Sequence, residues 1–307
     1  MIDGVSGGHL WAERYDGVLD DIFAVQDRIT QEIVHSLKLK LTAREQSSIS
    51  ARYTNNIQAY DLFLQGQKRL FEFSAGSYET ARQLFRQAIS LDPSFARAYS
   101  SLAITYVNEV LVGYSDNADA SLSLARELTD TAIGLDDELP QVYFSRAYVA
   151  LFYRRHDEAL EMINRAIELD PNYADAFALH AFTLIHMSDR TGDAFEPINT
   201  AIRLNPNYSA EYLGILSQAY FWEGDYETSL RYIEEAIERN TNHLYWHVFA
   251  AATYVRLNRL DDAEWERVQT MELNPRFSLE DWAKDRPFDD DARLKSVLAD
   301  LRKAGFN

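Results

Sequence analysis

The chain has 307 residues, 47% of them hydrophobic and 13% aromatic, with 48 acidic against 30 basic side chains, a formal net charge of −18 and no cysteine. The apolar fraction supports a large core, and the acidic excess argues against nucleic acid and anionic lipid, which need clustered Lys and Arg. Lack of cysteine excludes disulfides, thiol nucleophiles and zinc–thiolate sites, and suits a reducing cytoplasm.

Residues 1–55 read as an arm outside any repeat. Met1 to Tyr15 hold no apolar run of signal-peptide type, and no stretch approaches the roughly 20 apolar residues of a spanning helix. Asp20 to Leu41 carries Ile22, Val25, Ile29, Ile33 and Leu37 at spacings of three or four, the single stripe of an amphipathic helix. Residues 56–276 are periodic. Units begin near Ala59, Ala96, Pro140, Ala174, Ala210 and Leu244, with steps of 34 from 140 to 174 and from 210 to 244. In each unit a first helix with small and apolar residues is followed by a short turn and a second helix. Small residues such as Ala81, Ala159 and Ser229 let the two backbones approach, and Pro93, Pro171, Pro206 and Pro275 stop the second helix. Longer connections are expected around Phe73 to Tyr78, Asn108 to Ala118 and Asp189 to Asp193. Residues 277–307 end in a predicted helix with Leu294, Val297, Leu298 and Leu301 on one face, Asp289 to Asp291 at its start and Gly305 as its stop. It is expected to cap the last unit.

The 34-residue helix–turn–helix period, the small-residue crossings and the terminal prolines resemble the tetratricopeptide repeat (TPR) over residues 59–276. The resemblance implies an all-α fold, a right-handed superhelix of about six helix pairs with a C-terminal capping helix and an N-terminal helical arm. Gly7 to Asp16 (GGHLWAERYD), Asp21 to Ile29 (DIFAVQDRI) and Leu301 to Phe306 (LRKAGF) resemble bacterial class III adenylate/guanylate cyclase–TPR proteins. In that family the first two phrases close a small α/β domain upstream of the repeats. No cyclase domain stands in this sequence, so it reads as a fragment or truncated relative, and no catalytic residue is carried over. Without the α/β domain, the apolar stripe is expected to cap the first repeat, with Trp11 and Tyr15 folded against it, or to be exchanged between two chains of a homodimer.

No phosphate loop, nucleophile elbow or paired-carboxylate motif appears, so the chain itself is expected not to be an enzyme and to hold no cofactor or metal. His243 and His247 are four apart, but His243 falls at a helix start; a surface or cap histidine and a packing histidine are expected there. The TPR resemblance implies that positions two, five, nine, twelve and thirteen of each first helix line a concave groove. The candidate groove residues are Phe144, Tyr148, Phe152, Phe182, His186, Gln218, Phe221, Trp222, Tyr245 and Arg256, with Gln141, Asp175 and Glu211 at position two. The competing reading is that several of these aromatics simply pack between helices. Chaperone-binding TPR domains hold a peptide carboxylate with Lys, Asn and Arg; here only Arg97 and Arg256 offer isolated positive charge. The expected ligand is therefore an apolar peptide or helix, and the expected role a scaffold of a bacterial signalling protein. The alternative is the regulatory region of a cyclase, acting on an enzyme domain in cis.

Overall fold

A computed structural model describes residues 53–307, together with Val25, Arg28, Ile29, Glu32 and Ile33, which are helical. Fourteen α-helices and one 3-10 turn follow in order among the described residues. They are α1 Ile57–Leu70, α2 Ala75–Leu91, α3 Ala96–Leu111, α4 Ala118–Leu135, α5 Pro140–Phe152, α6 His156–Leu169 and α7 Ala174–Ile185. The turn Thr191–Ala194 leads to α8 Phe195–Leu204, α9 Ala210–Trp222, α10 Tyr226–Arg239, α11 Leu244–Arg256, α12 Leu260–Leu273, α13 Leu279–Lys284 and α14 Asp291–Lys303. The first twelve helices form six antiparallel pairs stacked in chain order. The architecture is an all-α solenoid of helix pairs. No described helix is long and apolar enough to cross a membrane.

The pairs close where side chains are small. In the first pair Gly66 faces Phe85, and a Cβ built on Gly66 would lie 2.6 Å from the ring. In the fifth, Ser217 and Ser229 meet through their hydroxyls at 3.0 Å. Ala81, Ala125, Ala159 and Ala263 are fully buried at the equivalent crossings. Gly66→Ala should therefore destabilise the protein by about 1–3 kcal/mol, since the gain in helix propensity does not offset the displaced ring. A urea melt unchanged from wild type would show that the pair has room to spare.

Each second helix ends on Asp or Asn: Asp92, Asp136, Asp170, Asn205, Asn240 and Asn274. In five of these the side chain accepts the amide two residues on, as from Ser94, Glu138, Asn172, Asn242 and Arg276. This Asx turn redirects the chain into the next first helix. The prolines come one residue later, and the second and fifth units turn without one. Pro197 lies in the first turn of α8, where its missing amide costs nothing.

The turn inside five of the six pairs carries a left-handed residue: Phe73, Gly113, Arg154, Gly224 and Asn258, with φ between 51° and 84°. Gly and Asn accept this conformation; for Phe73 and Arg154 it costs about 1–2 kcal/mol. Both place their side chains in long-range contacts. Phe73 stacks on His243 of the sixth pair, ring centroids 4.2 Å apart. Asn274 Nδ2 donates to Gly113 O at 3.0 Å, and Arg276 pairs with Asp116 at 3.1 Å. The turns of the first two pairs thus meet the start and the end of the sixth, and the array closes on itself.

The tail, 277–307, divides in two. Helix α14 lies against α11, with Val297 and Leu301 buried. Helix α13 and the stretch after it cross the ends of earlier first helices instead. Of the apolar stripe in the N-terminal arm, Val25, Ile29 and Ile33 are helical and partly buried. Ile22, Leu37, Trp11 and Tyr15, and with them the choice between capping in cis and exchange in trans, lie outside the described residues.

Candidate functional site

The first helices face inward and enclose a cavity of about 420 Å³. It reaches from α1 through α3, α5, α7 and α9 to the start of α11. Its aromatic wall is Phe144, Tyr148, Tyr173, Phe182, Tyr212 and Trp246. Phe71 stands at the rim and is 57% exposed, the largest apolar exposure in the first repeat. Polar groups are set among the rings: Arg97, Ser100, Gln141, Asp175 and Glu211. In the third and fourth units, positions two, five and nine of the first helix supply this lining: Gln141, Phe144 and Tyr148, then Asp175, Ala178 and Phe182.

In the third to sixth units positions twelve and thirteen do not reach the cavity, and the tail lies over His186, Trp222 and Arg256 among them. Arg286, only 1% exposed, inserts its guanidinium between units and donates to Leu111 O at 2.8 Å, Val110 O at 2.9 Å and Trp282 O at 2.9 Å. Val110 and Leu111 are the last residues of α3, where helix carbonyls lack intrahelical partners and the dipole favours a cation. Burial pulls the Arg286 guanidinium down to about 10, so it stays charged at neutral pH. Arg154 Nε donates to Arg286 O at 3.1 Å, and His156 Nε2 to Pro287 O at 2.6 Å. Phe288 then fits between His186 and Trp222, at 4.9 and 5.6 Å between centroids. Arg293 donates to Ile185 O at the end of α7 and to Ser188 O in the turn after it, and lies over the Trp222 ring. Arg256 binds Asp300 and Ser296 of α14.

The ten groove candidates therefore separate. Phe144, Tyr148 and Phe182 line the open cavity. His186, Trp222, Tyr245 and Arg256 contact the tail, Tyr245 through Trp282 and Arg286. Phe152, Gln218 and Phe221 are buried in the packing between helices: Phe152 against Tyr148, Gln218 accepting from Tyr245 Oη at 3.0 Å, Phe221 against Phe249. Tyr173, Tyr212 and Trp246 join the lining from positions outside the five-position rule, and Ser100 joins it from position five of the second unit. Trp246 reaches the lining beside His243, whose ring it stacks on and which meets Phe73 of the first unit. Its one sequence signal is Gly214, whose absent side chain leaves room for the Trp246 ring: a Cβ there would lie 2.3 Å away.

His243 stands at the N-cap of α11 but is fully buried rather than on the surface, sandwiched by Phe73 and by Trp246 at 3.9 Å. Burial lowers its imidazole to about 3. His247 points elsewhere, to Glu266 at 2.6 Å and Thr241 O at 3.0 Å, so the pair does not converge. Asp289, instead of gathering with Asp290 and Asp291, accepts from the Ser188 amide at 3.0 Å, and Asp290 caps α14. Among the described residues no group of three His, Cys, Asp or Glu is placed to hold a metal ion.

Comparison with known proteins agrees with the geometry. The TPR repeat family matches residues 72–109, and the tetratricopeptide repeat family matches 140–173 and 210–243, each of these a whole helix pair with its following turn. A protein of Rhizobium meliloti (strain 1021) named "Putative adenylate cyclase 3" is 40% identical over 163 residues, 52% of this chain. The matched stretch spans only 27% of that relative's length. The solved structure of the APC/C hetero-tetramer Cut9–Hcn1 superposes on 93% of this chain and 53% of its own, with a TM-score of 0.54 at 13% identity, a likeness of fold alone. Tetratricopeptide repeats build surfaces for protein interaction, with identity residing in a few inward side chains. The chain carries tetratricopeptide repeats and resembles adenylate cyclase-associated TPR proteins.

Proposed function

We propose that the chain is a peptide-binding scaffold whose open cavity takes a short apolar segment of a partner protein. The observation that carries this reading is that one inward surface is half filled by a segment of its own chain and half empty. Where the tail lies, aromatic rings hold Phe288 and Trp282, and helix-end carbonyls hold Arg286. The empty half offers the same kinds of group, Phe144, Tyr148 and Phe182, with Phe71 exposed at its rim. Its volume falls in the range of ligand clefts, roughly 300–1,000 Å³, and suits a few residues of chain. The partner is part of a bacterial signalling assembly in this reading.

Tyr148→Ala and Trp222→Ala separate the two halves. Tyr148→Ala should weaken binding of apolar peptides selected from a display library by about tenfold or more, as aromatic anchors do, with a small change in melting temperature. Phe182→Ala should weaken binding too, with some added loss of stability from its deeper burial. Trp222→Ala should mainly lower stability, because it frees Phe288 and Arg293. Equal losses of stability with unchanged affinity in all three would make these rings core residues and end the groove reading.

The second reading is a regulatory region that acts on a cyclase domain in cis. The 40% identity to part of a much longer cyclase-named protein supports it. Coding sequence for a catalytic domain directly upstream, and a change in its turnover on Tyr148→Ala, would favour this reading over a separate partner.

A further inference from the structure

The cavity wall carries negative charge that the chain does not balance. Asp175 and Glu211 stand at the second position of consecutive first helices, α7 and α9. Asp175 is exposed at the mouth and accepts from Tyr212 Oη at 2.7 Å. Glu211 is set deeper. Burial raises its carboxyl above the usual range, a bond from Ser209 opposes the rise, and the charge of Asp175 adds to it. Among the described residues neither carboxylate forms an ion pair. The cation on this wall, Arg97, is spread over the rings of Tyr53 and Phe63 at 4.3 and 5.4 Å.

The same wall holds polar atoms with no partner. Ser100 Oγ and Trp246 Nε1 belong to side chains 1% and 3% exposed, and neither makes a hydrogen bond. Gln141 Oε1 is likewise unpaired. A buried polar group left unpaired costs roughly 1–3 kcal/mol, so native proteins keep few, and their grouping around one cavity points to a ligand that supplies the partners.

Resting on the peptide-groove reading, we propose that the segment taken by the cavity carries a cationic side chain, arginine or lysine. Its charge is held by Glu211 and Asp175 against the faces of Tyr148 and Phe144. Carboxylates and aromatic faces both attract a guanidinium or ammonium group. A wholly apolar segment would bury Glu211 further with nothing to offset its lost hydration. A carboxylate-bearing segment would meet two like charges. The net charge of −18 adds long-range attraction for a basic partner.

The test is fluorescence anisotropy of the full chain with labelled heptapeptides of Leu and Phe that differ only at a central residue: arginine, lysine, citrulline or glutamate. Citrulline keeps the shape of arginine and removes the charge. The arginine and lysine peptides should bind about tenfold more tightly than the citrulline peptide, and their advantage should shrink with added salt. Glu211→Gln should abolish most of that advantage without weakening the citrulline peptide. Asp175→Asn, at an exposed site, provides a second variant whose folding is secure. If arginine and citrulline peptides bind equally and Tyr148→Ala weakens both, the groove reading stands and the cationic subsite is wrong. If the arginine advantage survives both carboxylate variants, the subsite is also wrong. If no heptapeptide binds saturably, both readings fall.

Discussion

Replacing Arg286 with leucine should lower the melting temperature by roughly 10 °C. The substitution keeps the apolar contact with Trp282 but removes three charge-assisted hydrogen bonds and leaves the carbonyls of Val110, Leu111 and Trp282 without this donor. Each such bond is worth about 1.5–3 kcal/mol, and the relief of burying a guanidinium offsets part of the sum, so a net loss of about 3 kcal/mol is expected. In a domain of this size each kcal/mol moves the midpoint by about 2–4 °C. Arg286→Lys should recover little, since a single ammonium does not reproduce the planar fork that spans Val110 O and Leu111 O. Limited proteolysis should then cut between residues 277 and 293, where the wild type is protected. A variant that melts within 2 °C of wild type would show that the tail is held by its aromatic contacts alone.

Acid should destabilise the protein steeply, beginning well above the carboxylate range. Burial holds His186 and His243 at about 3, against about 6.5 in an unfolded chain. Between those values the unfolded state binds two protons that the native state refuses, so stability falls as pH drops from about 6.5 towards 3 and is fully retained above it. The slope from these two groups approaches about 2.7 kcal/mol per pH unit. His186 is enclosed by Phe182 and Phe288, with the positive charge of Arg286 and Arg293 further opposing its protonation. His243 has both ring nitrogens unpaired between Phe73 and Trp246. His243→Phe should therefore stabilise the protein by about 1 kcal/mol at neutral pH, because an aromatic ring replaces two unsatisfied polar atoms. It should also halve the slope of urea-derived stability between pH 6 and pH 4. An unaltered slope in that variant would mean that His243 is protonated in the native state.

The helices and their pairing were legible in the sequence because they are local. Small residues at Gly66, Ala81 and Ala159 mark crossings within one unit, and the 34-residue spacing repeats that geometry down the chain. The ends of the second helices were half legible. Pro171 and Pro206 draw the eye, but the preceding Asp170 and Asn205 begin the turn, and Asp136 and Asn240 do so with no proline at all. The path of the tail was not legible. Arg286 and Arg293 recognise backbone carbonyls, which every residue carries, so no pattern in the recipient helices announces them. The groove suffers for the same reason. Position twelve or thirteen in a first helix reads the same whether it is open or covered, and His186, Trp222 and Arg256 lie beneath a segment more than forty residues later in the chain or further. The face of α14 was readable, with Val297 and Leu301 buried as their spacing suggests, because it depends only on that helix.

The meeting of the array's two ends changes how the molecule comes apart. Open repeat arrays, whose units touch only their neighbours, fray from their termini and gain stability unit by unit. Here Phe73 leans on His243, and Asn274 reaches Gly113 across 161 residues, so neither end can peel away without breaking the other. The terminal units are no longer the weakest links, and cooperativity spreads over the full circumference. The cost falls on assembly kinetics. The closing contacts join residues far apart in the chain and form only after most of the array is in place, which makes closure the slow step of folding.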